Sequence, residues 1–208
     1  MAVPTGMWVI LAVGLVLLVA AAVADRRSRR RAEAADATAP TGRPPAMSRE
    51  LCARLDELLA ADHLTISATL ASAAAATHTS PDGTPTAVLQ EARVIVCPEP
   101  LDGARVIQAL LVGNPDGSDL VIMAPSFDEF ALGVALANHL HGPSHVVPLI
   151  ADEADRDAVS AALESSPTSL QAIRSGWLPV EVWGEARLVV ADEISTTLVA
   201  GKDSQAER

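Results

Sequence analysis

The chain has 208 residues, enough for one domain with appendages, and half are hydrophobic although only five are aromatic. The core must therefore consist of Ala, Val, Leu and Ile. From Ser48 to the C-terminus there are 9 basic and 23 acidic residues, a net charge of −14, which excludes nucleic acid as a partner of this part. Abundant Ala, Arg and Val with the single Lys202 indicates a GC-rich genome, such as an actinobacterial one.

The N-terminus contains an uncharged apolar stretch, residues 6–24. At about 1.5 Å per residue it spans a hydrocarbon core of about 30 Å. The Ala-Val-Ala at residues 22–24 looks like a signal-peptidase site, but a signal peptide carries its positive charge before the apolar region. Here the charge follows, and the positive-inside rule predicts a single-pass inner-membrane anchor with the N-terminus outside and the domain in the cytoplasm. The cationic residues expected to touch lipid headgroups are Arg26, Arg27, Arg29, Arg30 and Arg31.

We predict four segments along the chain. Residues 1–24 form the transmembrane anchor, and residues 25–47 form an Arg-rich juxtamembrane segment with a linker rich in Ala, Pro and Thr. Residues 48–200 form a soluble α/β domain. The polar residues 201–208 form a disordered tail.

The clearest pattern in the domain is a β-α-β unit from Ser118 to Asp152. Two nearly continuous apolar runs predict parallel strands that are buried on both faces. Between them, Ser126 and Glu129 are spaced as a capping box, and Gly142 ends the helix. This helix is apolar on more than one face, which predicts that it is largely covered.

The other elements alternate around this unit and predict an α/β fold, thioredoxin-like or another three-layer arrangement, with a parallel-core sheet and a C-terminal antiparallel hairpin. Ser48 is expected to cap the first helix. The predicted order is a helix at 48–61, a strand at 64–66, a helix in the Ala-rich stretch, a strand at 93–96, a helix at 101–112, the central unit, helices at 152–165 and from Ser166 to Gly176, a hairpin of 180–183 with 186–192 joined at Gly184, and a strand or helical turn at 196–200.

This order resembles the membrane-anchored thioredoxin-like proteins of cytochrome biogenesis and methylamine utilisation. In that family the first strand leads into a CxxC motif at a helix N-terminus, and a proline precedes the terminal hairpin. The matching residues are Cys97-Pro98-Glu99-Pro100, with proline where the second cysteine belongs, and Pro179. The resemblance covers about residues 87–192. It implies a redox site that lacks its resolving thiol, so the two-thiol cycle has no second sulfur.

Cys97 is the candidate catalytic residue. A thiol at a helix N-terminus has a lowered pKa because of the helix dipole, whereas nearby acidic side chains act against it. The alternative interpretation is a structural cysteine at a strand end. Cys52 lies beside the apolar stripe of the first helix and is expected to be buried; two cysteines 45 residues apart form neither a disulfide framework nor a zinc site.

The remaining chemical groups have structural explanations. His139, His141 and His145 lie at or just after a helix end and could bind a metal, but histidine there complements the dipole, as acidic residues do at helix starts, so no metal is predicted. No phosphate-binding glycine motif is present, and no cofactor is predicted. The residues proposed for a partner surface are Trp177, Pro179 and Trp183.

Three functions remain open from the sequence. The first is a non-catalytic, membrane-tethered accessory protein of an inner-membrane assembly, with a membrane-protein partner. The second is a thiol-disulfide oxidoreductase or redox sensor that uses Cys97. The third is a domain that binds a small molecule at the carboxyl ends of its parallel strands, where such sheets hold ligands.

Overall fold

The computed structural model describes residues 44–60, 62–114 and 116–201. The predicted anchor, the arginine cluster, most of the linker and residues 202–208 of the predicted tail lie outside the described residues. Within the described part of the chain, no helix is both long and apolar enough to cross a bilayer.

The described residues form a mixed α/β domain. The helices are α1 (Arg49–Leu59), α2 (Ala104–Gly113), α3 (Glu129–His141), α4 (Glu153–Ala162) and α5 (Leu170–Ser175), with 3-10 turns at Ala73–Ala75 and Val180–Val182. The strands are β1 (Leu64–Ile66), β2 (Thr69–Leu70), β3 (His78–Thr79), β4 (Pro85–Val96), β5 (Leu120–Ala124), β6 (Val146–Ile150), β7 (Trp183–Ala191) and β8 (Thr196–Ala200).

One sheet organises the domain, in the strand order β1-β8-β7-β4-β5-β6-β2, with β3 paired to the start of β4. Only β4–β5 and β5–β6 are parallel among these pairs. The two edge strands, β1 and β2, are separated in sequence by Ser67 and Ala68 alone. Three Cα–Cα steps reach at most about 11 Å, so the sheet curls until its edges meet. The sequence did not predict this closure.

The curled sheet encloses its main core. That core contains Val94 of β4, Met123 of β5, Leu149 of β6 and Val189 of β7, none of them measurably exposed. Ala and Val dominate it, as the composition predicted. Small side chains suit this interior, because a tightly curled sheet encloses little volume on its concave side.

Helices cover the outside of the sheet. A second core joins α2, α3 and α5 to its convex face, where α2 packs against both α3 and α5. α3 is therefore the last helix of this layer. A third, smaller core holds α1 through Leu55 against Leu188 and Val199. α4 contacts β1 and β4 and contributes Val159 to the enclosed core.

Several predicted elements are confirmed. β5, α3 and β6 form the expected parallel β-α-β unit. Ser48 caps α1, and its Oγ accepts a hydrogen bond from the Leu51 amide at 3.1 Å. The antiparallel pair at the C-terminus also exists, although it consists of β7 and β8.

Other local predictions are wrong. The N-cap of α3 is Asp128, not Ser126, because the chain continues in an extended conformation to Asp128, whose carboxylate accepts from the Ala131 amide at 2.7 Å. Residues 180–182 form a 3-10 turn, and β7 runs straight through Gly184. The Ala-rich stretch forms one 3-10 turn and two short strands, since tertiary pairing overrides its helix propensity.

Candidate functional site

Cys97 directly follows β4, at the carboxyl edge of the parallel strands. Its amide donates to the Met123 carbonyl at 2.8 Å, and none of its surface is exposed. The expected position at a helix N-terminus is wrong, because α2 begins only at Ala104, after an irregular loop that ends at Gly103 with a φ of 81°. The thiol therefore lacks the helix dipole invoked from the sequence.

Burial raises the pKa of the Cys97 thiol to about 12, and the charge of Glu99 acts in the same direction. The cation of Arg156 acts against them and is outweighed. Thiol exchange needs a thiolate that an external disulfide can reach. Cys97 offers neither, so these observations favour the structural interpretation of this cysteine. Cys52, expected to be buried, is half-exposed on α1.

The loop after Cys97 is tied to α5. The Glu99 carboxylate accepts from the Leu170 amide at the start of α5. Further along, Asp102 forms an ion pair with Arg174 at 2.6 Å, in which both side chains are more than half exposed. Such an exposed pair stabilises little. Together these contacts hold the loop against α5.

A buried polar cluster lies at the same edge of the sheet; we define it as Arg156, Ser160, Ser165 and Thr168. Its members come from α4 and the loop after it. The Arg156 guanidinium donates to the Ala151 carbonyl at the end of β6, and the Thr168 amide donates to the Val96 carbonyl at the end of β4 at 2.9 Å. All four residues are at least nine-tenths buried.

Among the described residues, the hydroxyls of the polar cluster have no hydrogen-bond partner: Ser160 Oγ, Ser165 Oγ and Thr168 Oγ1. Unpaired buried hydroxyls are costly, and in native proteins they mark ordered water or a functional site. The sequence pattern did not predict this cluster. Arg156 and Ser160, four residues apart on an otherwise apolar helix face, were the available signal.

Three histidines meet at the opposite edge of the sheet. The rings of His139 and His145 have centroids 5.0 Å apart, and His78 is close enough for the charge of His145 to act on it. Burial lowers the pKa of His139, with a smaller contribution from His145. Within the described residues no group of three His, Cys, Asp or Glu side chains has the arrangement of a metal site.

An open cleft of about 690 Å³ lies beside α1. Two carboxylates and two guanidinium groups face it, so its local charges balance. Its lining residues are Glu50, Ala53, Arg54, Glu57, Leu58 and Arg187.

The predicted partner surface is partly exposed. Trp177 is 67% exposed, and Val180, two residues beyond Pro179, is 82% exposed. Pro179 and Trp183 are half-buried. The Arg93 guanidinium carbon lies over the Trp183 ring, 6.0 Å from its centroid.

Leu178 and Trp183 also contact the end of α2. A Cβ on Gly113 would lie 2.5 Å from Leu178 Cδ1 and 3.4 Å from Trp183 Cζ2. The neighbour of Gly113 is Val112, which is 83% exposed. We call Val112, Trp177, Pro179, Val180 and Trp183 the tryptophan surface.

A second apolar surface lies on α3. The helix buries Ala131, Ala135 and His139, while Phe130 is 70% exposed and Leu140 43% exposed. The prediction that this helix is largely covered is therefore wrong. Among the described residues its main α-helical neighbour is α2, and the 3-10 turn Ala73–Ala75 also contacts it, but neither covers Phe130 or Gly133. We call Phe130, Gly133, Ala137 and Leu140 the α3 stripe.

The fold is thus a mixed α/β domain around a curled sheet. Neither a protein-family model nor a curated protein matches the sequence. Two crystal forms of the chaperonin gp146 from the bacteriophage EL 2 (Pseudomonas aeruginosa), both in the presence of ATP-BeFx, are similar to it. Each has a TM-score of 0.51 and 14% identity over 68% of this chain.

The match spans 29% of one chaperonin chain and 28% of the other, so this chain corresponds to less than a third of that protein. At such low identity the likeness shows the fold alone.

Proposed function

We propose that this protein is a non-catalytic, membrane-tethered accessory protein whose folded domain docks onto a membrane-protein partner. The observation that carries the proposal is the tryptophan surface. The chain has only five aromatic residues, and one of them, Trp177, points into solvent together with Val112 and Val180. Exposed tryptophan is typical of the centre of a protein interface.

The net negative charge of the domain limits the kind of partner that it can bind. The acidic balance of the domain repels nucleic acid and anionic lipid headgroups, so a protein surface of neutral or basic character fits best. The proposed membrane anchor determines where this partner would lie. Residues 6–24 and the arginines after them favour an inner-membrane anchor with the domain on the cytoplasmic side.

Purification of the full chain in mild detergent tests the proposal. We expect a second membrane protein to copurify stoichiometrically. Trp177→Ala should reduce its recovery about tenfold or more, because a central tryptophan contributes at hot-spot level. Ile194→Ala is the matched control, since Ile194 is equally exposed, at 72%, but lies in the turn between β7 and β8. A chain that purifies alone, or equal losses from both variants, contradicts the proposal.

The orientation has its own test. Protease added outside intact cells should leave the domain whole. Removal of the domain by that protease would place it on the other side of the membrane.

One specific observation favours a second candidate function, small-molecule binding. The polar cluster places a buried guanidinium and three unpaired hydroxyls at the carboxyl edge of the parallel strands, where α/β sheets hold ligands. Equilibrium binding of small anions to the full chain, with Arg156→Met as the variant, tests it; binding that persists in this variant would contradict it. The redox alternative has less support, because Cys97 is sealed and its thiol pKa is raised.

A further inference from the structure

The α3 stripe has a regular arrangement around Ala135, which faces the core. Phe130 and Leu140 lie five residues to either side of it, and both are exposed. Gly133 and Ala137 lie two residues to either side, and both are exposed as well. Large side chains thus occupy the two ends of the stripe, and small ones its middle.

The polar residues at the ends of the stripe follow the same symmetry. Glu129 precedes Phe130, and His141 follows Leu140, six residues to either side of Ala135. Both side chains are exposed. The stripe therefore reads acidic, large, small, small, large, basic from one end to the other.

This pattern is complementary to itself when it is turned around. A two-fold axis at Ala135, perpendicular to the helix, places Phe130 against Leu140 of a second copy and Gly133 against Ala137. The same axis places the Glu129 carboxylate opposite the His141 imidazole of the second copy, twice. An isologous dimer requires this kind of match, because each contact between two residues occurs in both directions.

The middle of the stripe suits close approach. Among the described residues nothing lies within 4 Å of a Cβ built on Gly133, so no packing within that part of the chain requires a glycine there. A glycine inside a helix is destabilising relative to alanine. A second helix crossing at Gly133 and Ala137 gives this glycine a packing role.

We propose that the occupant of the α3 stripe is a second copy of this chain, and that two α3 helices pair antiparallel about Ala135. The proposal deepens the interaction role proposed above and rests on it, but it uses a surface separate from the tryptophan surface. Self-association through α3 leaves Trp177 free for the membrane-protein partner. The assembly is therefore a dimer that presents two tryptophan surfaces.

Size sets the strength of this contact. α3 has 13 residues and is about 20 Å long, so one pair of helices buries less than the roughly 1,200–2,000 Å² of a standard stable interface. The dimer is therefore weak in dilute solution. Two chains anchored in one membrane have a high effective concentration, which favours pairing without any further contact.

Disulfide trapping in vesicles tests the pairing. Full chains that carry Gly133→Cys and full chains that carry Ala137→Cys, both in a Cys52→Ser background, are reconstituted together in phosphatidylcholine vesicles and oxidised. We expect a disulfide-linked dimer at about ten times the yield of a control pair in which both chains carry Ala161→Cys, an exposed position on α4. Equal yields would overturn the proposal.

Two sets of variants locate the contact. Phe130→Asp should reduce the trapped dimer about tenfold or more, whereas the matched control Ile194→Asp, 72% exposed in the turn between β7 and β8, should not. Glu129→Lys should weaken trapping because it removes the carboxylate that faces the His141 imidazole, and adding His141→Glu should restore it by pairing the new cation with a carboxylate. This rescue does not depend on whether Phe130→Asp folds. Equal loss from Phe130→Asp and Ile194→Asp, or no rescue, would overturn the assignment to α3.

The outcomes separate the two proposals. Suppose that disulfide trapping stays at the control level and that Phe130→Asp releases a copurifying partner. A different protein then occupies α3. That result overturns self-association but not the accessory role. Efficient trapping with no copurifying protein supports the dimer and contradicts the accessory role.

Discussion

The carboxyl edge of the sheet and the outer side of its helical layer place their residues in opposite ways. At the edge, the groups that could take part in a reaction or bind a ligand are buried. Cys97 is fully buried, and Arg156 and three hydroxyls lie beneath the surface. On the helical layer, apolar side chains that normally form a core face solvent, including Phe130 and Trp177. Exposed apolar side chains typically mark interaction sites. The outer side of the helical layer therefore supports the proposed docking role, and the edge supports the small-molecule alternative.

The largest expected effect concerns access to the two thiols. With a thiol pKa of about 12, only about 10⁻⁴ of Cys97 is thiolate at pH 8. Cys52 is half-exposed and should be alkylated within minutes in the folded chain. In the Cys52→Ser variant the folded chain should remain unlabelled until denaturant is added. Rapid labelling of Cys97 in that variant would show that the edge is open.

Substitutions of two apolar residues of α2 allow the buried and the exposed side of the helical layer to be compared by their effect on the free energy of unfolding. Ile107 is fully buried, and Ile107→Ala should lower the free energy of unfolding by about 2–5 kcal/mol through lost burial and a cavity. Val112→Ala should change it by less than about 0.5 kcal/mol, because that side chain is already in solvent. Urea unfolding of both variants measures the difference. Similar costs would mean that Val112 is covered within the chain.

An unpaired hydroxyl of the polar cluster gives a smaller effect of opposite sign. Thr168→Val keeps the shape of the side chain and removes a buried Oγ1 without a partner. We expect the free energy of unfolding to rise by about 1 kcal/mol. Thr197→Val, whose hydroxyl lies 3.1 Å from Thr65 Oγ1, is the control and should give no gain. A loss of stability in Thr168→Val would show that a water or ligand pairs with the hydroxyl.

The smallest expected effect is a pH dependence at the histidine edge. Burial lowers the pKa of His139 below 6.5, so the unfolded chain binds more protons than the folded one just below that pH. His139 therefore contributes stability that is present above pH 6.5 and is lost as the pH falls toward its folded pKa. The nearby titratable groups are His145, His78 and Asp119.

Thermal unfolding between about pH 7 and pH 5 measures this loss. His139→Gln should reduce it. His145→Gln should reduce it less, because burial is the larger cause of the lowered pKa. An unchanged pH dependence in His139→Gln would contradict the prediction.

The local pattern of the sequence predicted the central elements well. Continuous apolar runs identified β5 and β6, and Ser48 identified the start of α1. The closure of the sheet was not predictable in this way. β1 and β2 have three and two residues, and their pairing with β8 and β6 depends on contacts far along the chain.

The candidate sites show the same limit. Cys97 was expected at a helix N-terminus because the periodicity after it suggested a helix from Leu101, but Leu101 instead forms a β-bridge with Phe127. Phe130 was expected to be covered because its helix is apolar on several faces. Which side of a helix lacks a neighbour depends on the order of helices in the layer, and a single sequence does not contain that order.

The length of β4 has a consequence for synthesis. This strand pairs with β5 on one side, close along the chain, and with β7 on the other, where Val94 meets Gly184. On the ribosome the β7 edge of β4 stays open until residues 183–191 emerge. An unpaired apolar strand edge invites aggregation, so the nascent chain is vulnerable until its last two strands are made. A chain that stops at residue 182 should accumulate as aggregates, and a soluble, folded product of that length would contradict this order of assembly.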